Sequence, residues 1–69
     1  MQPIRVTLNG AEREFPASLT FDELLEELSL AGKRLAVERN GEIVPRSGFG
    51  EVRLADGDRI EVVIAVGGG

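Results

Sequence analysis

Two Asn-Gly pairs, Asn9-Gly10 and Asn40-Gly41, constrain this chain more than any other feature in it. Both central residues of a type I′ two-residue hairpin turn need positive φ, a conformation that Asn and Gly reach at least cost. Ahead of the first pair, Ile4, Val6 and Leu8 share one face while Arg5 and Thr7 share the other, the alternation of a half-buried strand. Glu12 to Phe15 can return beside it, and Pro16 closes the hairpin. Leu35 and Val37 lead into the second pair; Glu42, Ile43 and Val44 lead out of it to Pro45. Two hairpins are therefore expected, the first at the start of the chain and the second near its middle, ahead of the last strand.

Between them the period changes. In SLTFDELLEELSL, Phe21, Leu24, Leu25 and Leu28 fall at i, i+3, i+4 and i+7, a single apolar stripe on a helix, with Asp22, Glu23, Glu26 and Glu27 toward water. Thr20 is placed to cap the helix, with Glu23 completing a capping box and Leu19 stapling onto Leu24. Gly32 is the expected stop, followed by Lys33 and Arg34. RSGFGEVRLADGD reads as irregular, with a turn at Asp56-Gly57 and a short strand suggested by Val52 and Leu54. The last run, RIEVVIAV, carries Ile60, Val62, Ile64 and Val66 on one face and Glu61, Val63 and Ala65 on the other. Apolar on nearly both faces, it reads as the central strand of a mixed sheet. With a helical crossover before it, that strand can lie parallel to the first. The expected fold is α+β: a β-grasp, or ubiquitin-like, mixed sheet with one main helix on one face. Residues 1–66 form the domain and residues 67–69 a flexible C-terminal glycine tail.

Composition excludes more than it assigns. At 69 residues there is room for one domain, burying only about 60% of the surface its unfolded chain exposes, which leaves little for a deep catalytic cleft. Hydrophobic residues at 42% and charged ones at 29% match a globular domain. A formal charge of -4 repels phosphate backbones and anionic lipid, so neither nucleic acid nor membrane is expected as partner, and a basic protein surface suits it better. The chain has no cysteine and no histidine, which removes disulfides, thiolate metal sites and the commonest catalytic bases. The acidic helix face reads as solvated, and Asp56 and Asp58 as turn residues lacking the other oxygen ligands of a calcium loop. The opening MQPIRVTLNG has no apolar segment of a secretion signal, and a cytoplasmic location is expected.

The ending VIAVGGG poses two readings: a slack terminus, or the working part of the molecule. Taken together, LNG at 8–10, VERNGEIVPRS at 37–47 and LADGDRIEVVIAVGGG at 54–69 resemble the sulfur carrier proteins of thiamin biosynthesis, the ThiS family, over nearly the whole chain. The resemblance implies a protein substrate rather than an enzyme. A ThiF-type enzyme would adenylate the carboxylate of Gly69 with ATP and magnesium, and this chain itself would bind no cofactor. Sulfur originating from cysteine, delivered through a cysteine desulfurase or another donor, would then give a thiocarboxylate that serves thiazole synthase, ThiG.

Chemistry agrees with that implication. A carboxylate is a poor electrophile, and joining it to AMP supplies a leaving group for attack by sulfur. To reach another protein's active site the tail must thread a narrow channel, which suits Gly67 and Gly68 because neither has a Cβ. Ordering such a tail costs entropy, so the domain must supply docking surface. Val63 and Ala65, expected on the outer sheet face beside Arg5 and Thr7, are candidates for it. The equal alternative is ordinary strand residues covered by a loop. Phe49, where the family often has tryptophan after its PRS segment, is a further docking candidate, but phenylalanine drops the indole donor, which favours packing over specific recognition. Rival readings are the small subunit of molybdopterin synthase, a ubiquitin-like protein modifier, and a β-grasp interaction module with an idle tail.

Overall fold

The computed structural model describes residues 2–65. Strand β1 (Ile4–Leu8) pairs antiparallel with β2 (Ala11–Phe15), and β3 (Leu35–Arg39) with β4 (Glu42–Val44). In each hairpin the turn is an Asn-Gly pair at positive φ, 48° and 84° at Asn9-Gly10, 52° and 88° at Asn40-Gly41. The last strand, β5 (Arg59–Ile64), lies between the hairpins, so the sheet order is β2-β1-β5-β3-β4. It runs parallel to β1 and antiparallel to β3. Residues at both ends of the chain thus share the sheet centre, as the apolar character of 59–66 requires.

Helix α1 (Phe21–Glu27) buries Phe21, Leu24 and Leu25 in one core with Val6, Val37, Leu54 and Ile60. Its N-terminus is fully accounted for. The Thr20 hydroxyl accepts from the Glu23 amide at 3.2 Å while the Glu23 carboxylate accepts from the Thr20 amide at 2.8 Å. The Phe21 amide donates to the Val52 carbonyl at 3.2 Å and the Asp22 amide to the Phe49 carbonyl at 2.9 Å. Amides that a helix start leaves without intrahelical partners are therefore all bonded.

Three expectations about elements change. The helix stops a turn before Gly32: the Leu30 amide bonds the Leu25 carbonyl at 2.7 Å and the Ser29 amide the Glu26 carbonyl at 3.0 Å. That is a Schellman cap, with Ser29 at φ 59° where glycine is usual. Packing of Leu30 into the core stops the helix before the glycine is reached. Val52 and Leu54 form no strand; an isolated bridge joins Thr20 and Arg53. The backbone of this segment serves the helix start instead, and the Leu54 amide donates to the Leu19 carbonyl at 2.9 Å. Finally, Ile64 faces the core side opposite Leu35 yet remains 44% exposed, at the sheet end.

Candidate functional site: the C-terminal strand and its outer face

Past Ile60, strand β5 outruns β1. Parallel pairing covers Thr7 with Arg59 and Leu8 with Ile60, and β1 then turns away at Asn9. Val63 is consequently not beside Arg5 and Thr7. It stands directly opposite Ala36 of β3, while Arg5 faces Glu12 and Glu14 across the first hairpin at 3.9 and 3.7 Å. Arg5 and Thr7 lie at the other end of β5, where the parallel register sets Thr7 against Arg59.

Val63 is 58% exposed and Ala65 is exposed, both on the face away from the helix. The Ala65 amide still bonds the Arg34 carbonyl at 2.9 Å, so the β3 side of the ladder holds one residue past the strand. Gly67, Gly68 and Gly69, the residues expected to thread and react, lie outside the described residues, as does the boundary at residue 66.

Phe49 does not join this face. It is 4% exposed, its ring centroid 6.3 Å from that of Phe21 and tilted 35°, and the Arg46 guanidinium carbon lies 6.0 Å from its centroid. Gly48 and Gly50 bracket a tight turn that folds the ring inward, where its carbonyl also receives the Asp22 amide. Its place is in the core rather than on a docking surface.

Sequence reasoning missed other members of the outer face. Ala36 is exposed opposite Val63, and Ile43 is 65% exposed opposite Glu38. Glu38 also stands directly opposite Glu61. Like charges in opposed positions of a sheet repel, so the face joins exposed apolar side chains to an acidic pair with an unfavourable interaction. Parity around Val37 would have placed Ala36 and Glu38 outward; choosing their neighbours requires the strand pairing.

Beyond this face, an open groove of about 450 Å³ runs between Phe15, Pro16, Ala17 and Leu19 on one side and Glu23, Glu26 and Glu27 of α1 on the other. Asp56 and Asp58 are engaged structurally: Asp56 accepts the Arg5 amide of β1 at 2.8 Å, and Asp58 accepts the Ala55 amide of its own turn at 2.8 Å. Among the described residues no three His, Cys, Asp or Glu side chains cluster to hold a metal, and no helix is long and apolar enough to cross a membrane. Glu23 has its pKa lowered from 4.5, chiefly by the Thr20 amide, against opposing desolvation and with lesser help from the Thr20 hydroxyl and Arg53. That perturbation belongs to the helix cap, away from the outer face.

A five-stranded mixed sheet with parallel first and last strands, the last of them central, and one capped helix against it defines a ubiquitin-like β-grasp domain. The ThiS family profile matches residues 6–69, and the chain belongs to the ThiS family. It is 41% identical over 63 residues to the sulfur carrier protein ThiS of Bacillus subtilis, a match covering 90% of this chain and 96% of that protein. It is 47% identical over 66 residues to a thiazole synthase of Paramagnetospirillum magneticum, covering 96% of this chain and 20% of that protein. The chain thus spans about a fifth of the length of the thiazole synthases it matches. In three dimensions it is similar to the crystal structure of the thiamine biosynthesis protein ThiS from Geobacter metallireducens. There the TM-score is 0.81 at 35% identity, over 96% of this chain and 100% of that one.

Proposed function

We propose that this chain is a sulfur carrier for thiazole formation in thiamin biosynthesis, with the Gly69 carboxylate as the group that carries sulfur. The observation that carries the reading is the family match running through to residue 69, with Val63 near the end of β5 and Ala65 just past it both exposed a few residues before the glycines in sequence.

In this reading a carboxylate oxygen of Gly69 attacks the α-phosphorus of ATP bound with magnesium on a ThiF-type enzyme. Pyrophosphate leaves and an acyl adenylate forms. A desulfurase or another donor then presents sulfur from cysteine as a persulfide; its terminal sulfur attacks the acyl carbon, AMP departs, and a thiol reductant cleaves the S–S bond of the resulting acyl disulfide to leave the thiocarboxylate. Thiazole synthase is the acceptor, a choice supported by the presence of a similar segment in relatives that bear that name. The domain contributes none of the reacting groups except Gly69. Its part is to dock through Val63, Ala65 and their neighbours and to present a segment without side chains. Because one tail serves two enzymes, their binding must alternate.

Removal of Gly68 and Gly69 tests this directly. In a reaction reconstituted with the activating enzyme, the sulfur donor and thiazole synthase, the truncated chain is expected to lose thiazole formation while keeping its thermal midpoint. Undiminished thiazole formation by the truncated chain would overturn the proposal.

A further inference from the structure

The two hairpin turns do more than reverse the chain. Each turn asparagine also reaches onto β5, from opposite sides and at opposite ends. Asn40, across from the strand start, accepts the Arg59 amide at 2.8 Å and donates to the Asp58 carboxylate at 3.1 Å. Asn9, where β1 ends, accepts the Val62 amide at 2.8 Å and donates to the Val62 carbonyl at 3.3 Å. Its backbone amide already bonds the Ile60 carbonyl at 2.9 Å. The carboxamide of Asn9 therefore stands in for the next peptide of a strand that is no longer there, extending the ladder by one step.

We infer that Asn9 is a positioning residue for the carrier reaction, fixing the direction in which β5 releases the residues leading to Gly69. The inference rests on the proposed function. Without this carboxamide, β5 beyond Ile60 would be held from the β3 side alone, and two-stranded ribbons twist more than strands held on both sides. Seven residues separate Val62 from the end of the chain, from Val63 to Gly69. A partner that draws them straight spans at most about 23–25 Å with them, so a change of about 20° at Val62 displaces the reacting carboxylate by roughly 8 Å. A carrier must deliver that carboxylate to a fixed point in a second protein, and the clamp removes this freedom before the partners meet.

Asn9→Gly and Asn40→Gly form a matched pair for the test. Glycine keeps the positive φ of each turn, and each substitution removes a carboxamide with two bonds to the β5 region. A purely structural role predicts the same consequence for both. Adenylation of each variant by the ThiF-type enzyme is followed as pyrophosphate release, with amide hydrogen exchange measured on the free proteins. For Asn9→Gly the KM for the carrier is expected to rise about tenfold with kcat nearly unchanged, the signature of lost preorganisation. Exchange at the Val63 and Ala65 amides should accelerate, although Asn9 bonds neither. Asn40→Gly should lose comparable thermal stability and keep the parent KM. Equal KM for both variants and the parent, or an equal rise in both, would overturn the positioning role while leaving the carrier function standing. Absence of adenylation in the unaltered chain, with an enzyme active on its own carrier, would overturn both.

Discussion

Ser29 occupies the cap position of the Schellman motif at φ 59°, a conformation that disfavours any side chain with a Cβ. It is exposed, and the bonds of the cap run through backbone groups alone. Ser29→Gly should therefore stabilise the domain by about 0.5–1 kcal/mol, relief of native strain exceeding the extra freedom glycine gives the unfolded chain. Urea unfolding at constant m-value would register it, and destabilisation would contradict the assigned cap. Asp58, 8% exposed, is an opposite case of a side chain that the fold requires. Its carboxylate receives the Asn40 amide group at 3.1 Å and the Ala55 backbone amide at 2.8 Å, with Arg39 at 3.9 Å. One side chain thus joins the second hairpin turn to the turn that launches β5.

Among the elements, the start of α1 depends on pH through Glu23. Its folded pKa lies below 4.5 because the charged carboxylate accepts the Thr20 amide. A depressed acid stabilises the fold above its unfolded pKa, and that contribution is lost as pH falls through the lowered folded value. Unfolding midpoints measured from about pH 6 down to pH 3 should show a steeper decline for the parent than for Glu23→Gln, which keeps an acceptor but does not titrate. Parallel curves would contradict the capping role. This helix start was legible in the sequence because Thr20 and Glu23 act within one turn, and both hairpins were legible because Asn-Gly specifies its own conformation. The helix end was not, since Leu30 halts it through core packing that no local residue announces. The 52–54 segment and the packing partner of Phe49 escaped for the same reason: the first amides of α1 and Phe21 lie about 30 residues earlier in the chain. Alternation likewise put Val63 on the outer face but could not supply the register that sets it against Ala36 rather than near Arg5.

At the scale of the whole molecule, the net charge of -4 is less informative than where two of its charges sit. Glu38 and Glu61 oppose one another beside Val63, Ala36 and Ile43, with no basic residue directly paired to either across the sheet. A docking face for a basic protein surface would retain such a pair at the expense of stability. Glu61→Gln should accordingly stabilise the free domain by about 0.2–1 kcal/mol, while slowing association with the activating enzyme and weakening its dependence on salt. Greater stability with unaltered association would remove the pair from the interface. The central claim, that Gly69 carries sulfur, is tested most directly by intact-mass spectrometry after incubation with a ThiF-type enzyme, ATP, magnesium, cysteine and a cysteine desulfurase. A mass increase corresponding to replacement of one oxygen by sulfur is expected, dependent on ATP and absent from the chain lacking Gly68 and Gly69. An unchanged mass, with an enzyme shown to activate its own carrier in the same mixture, would contradict it.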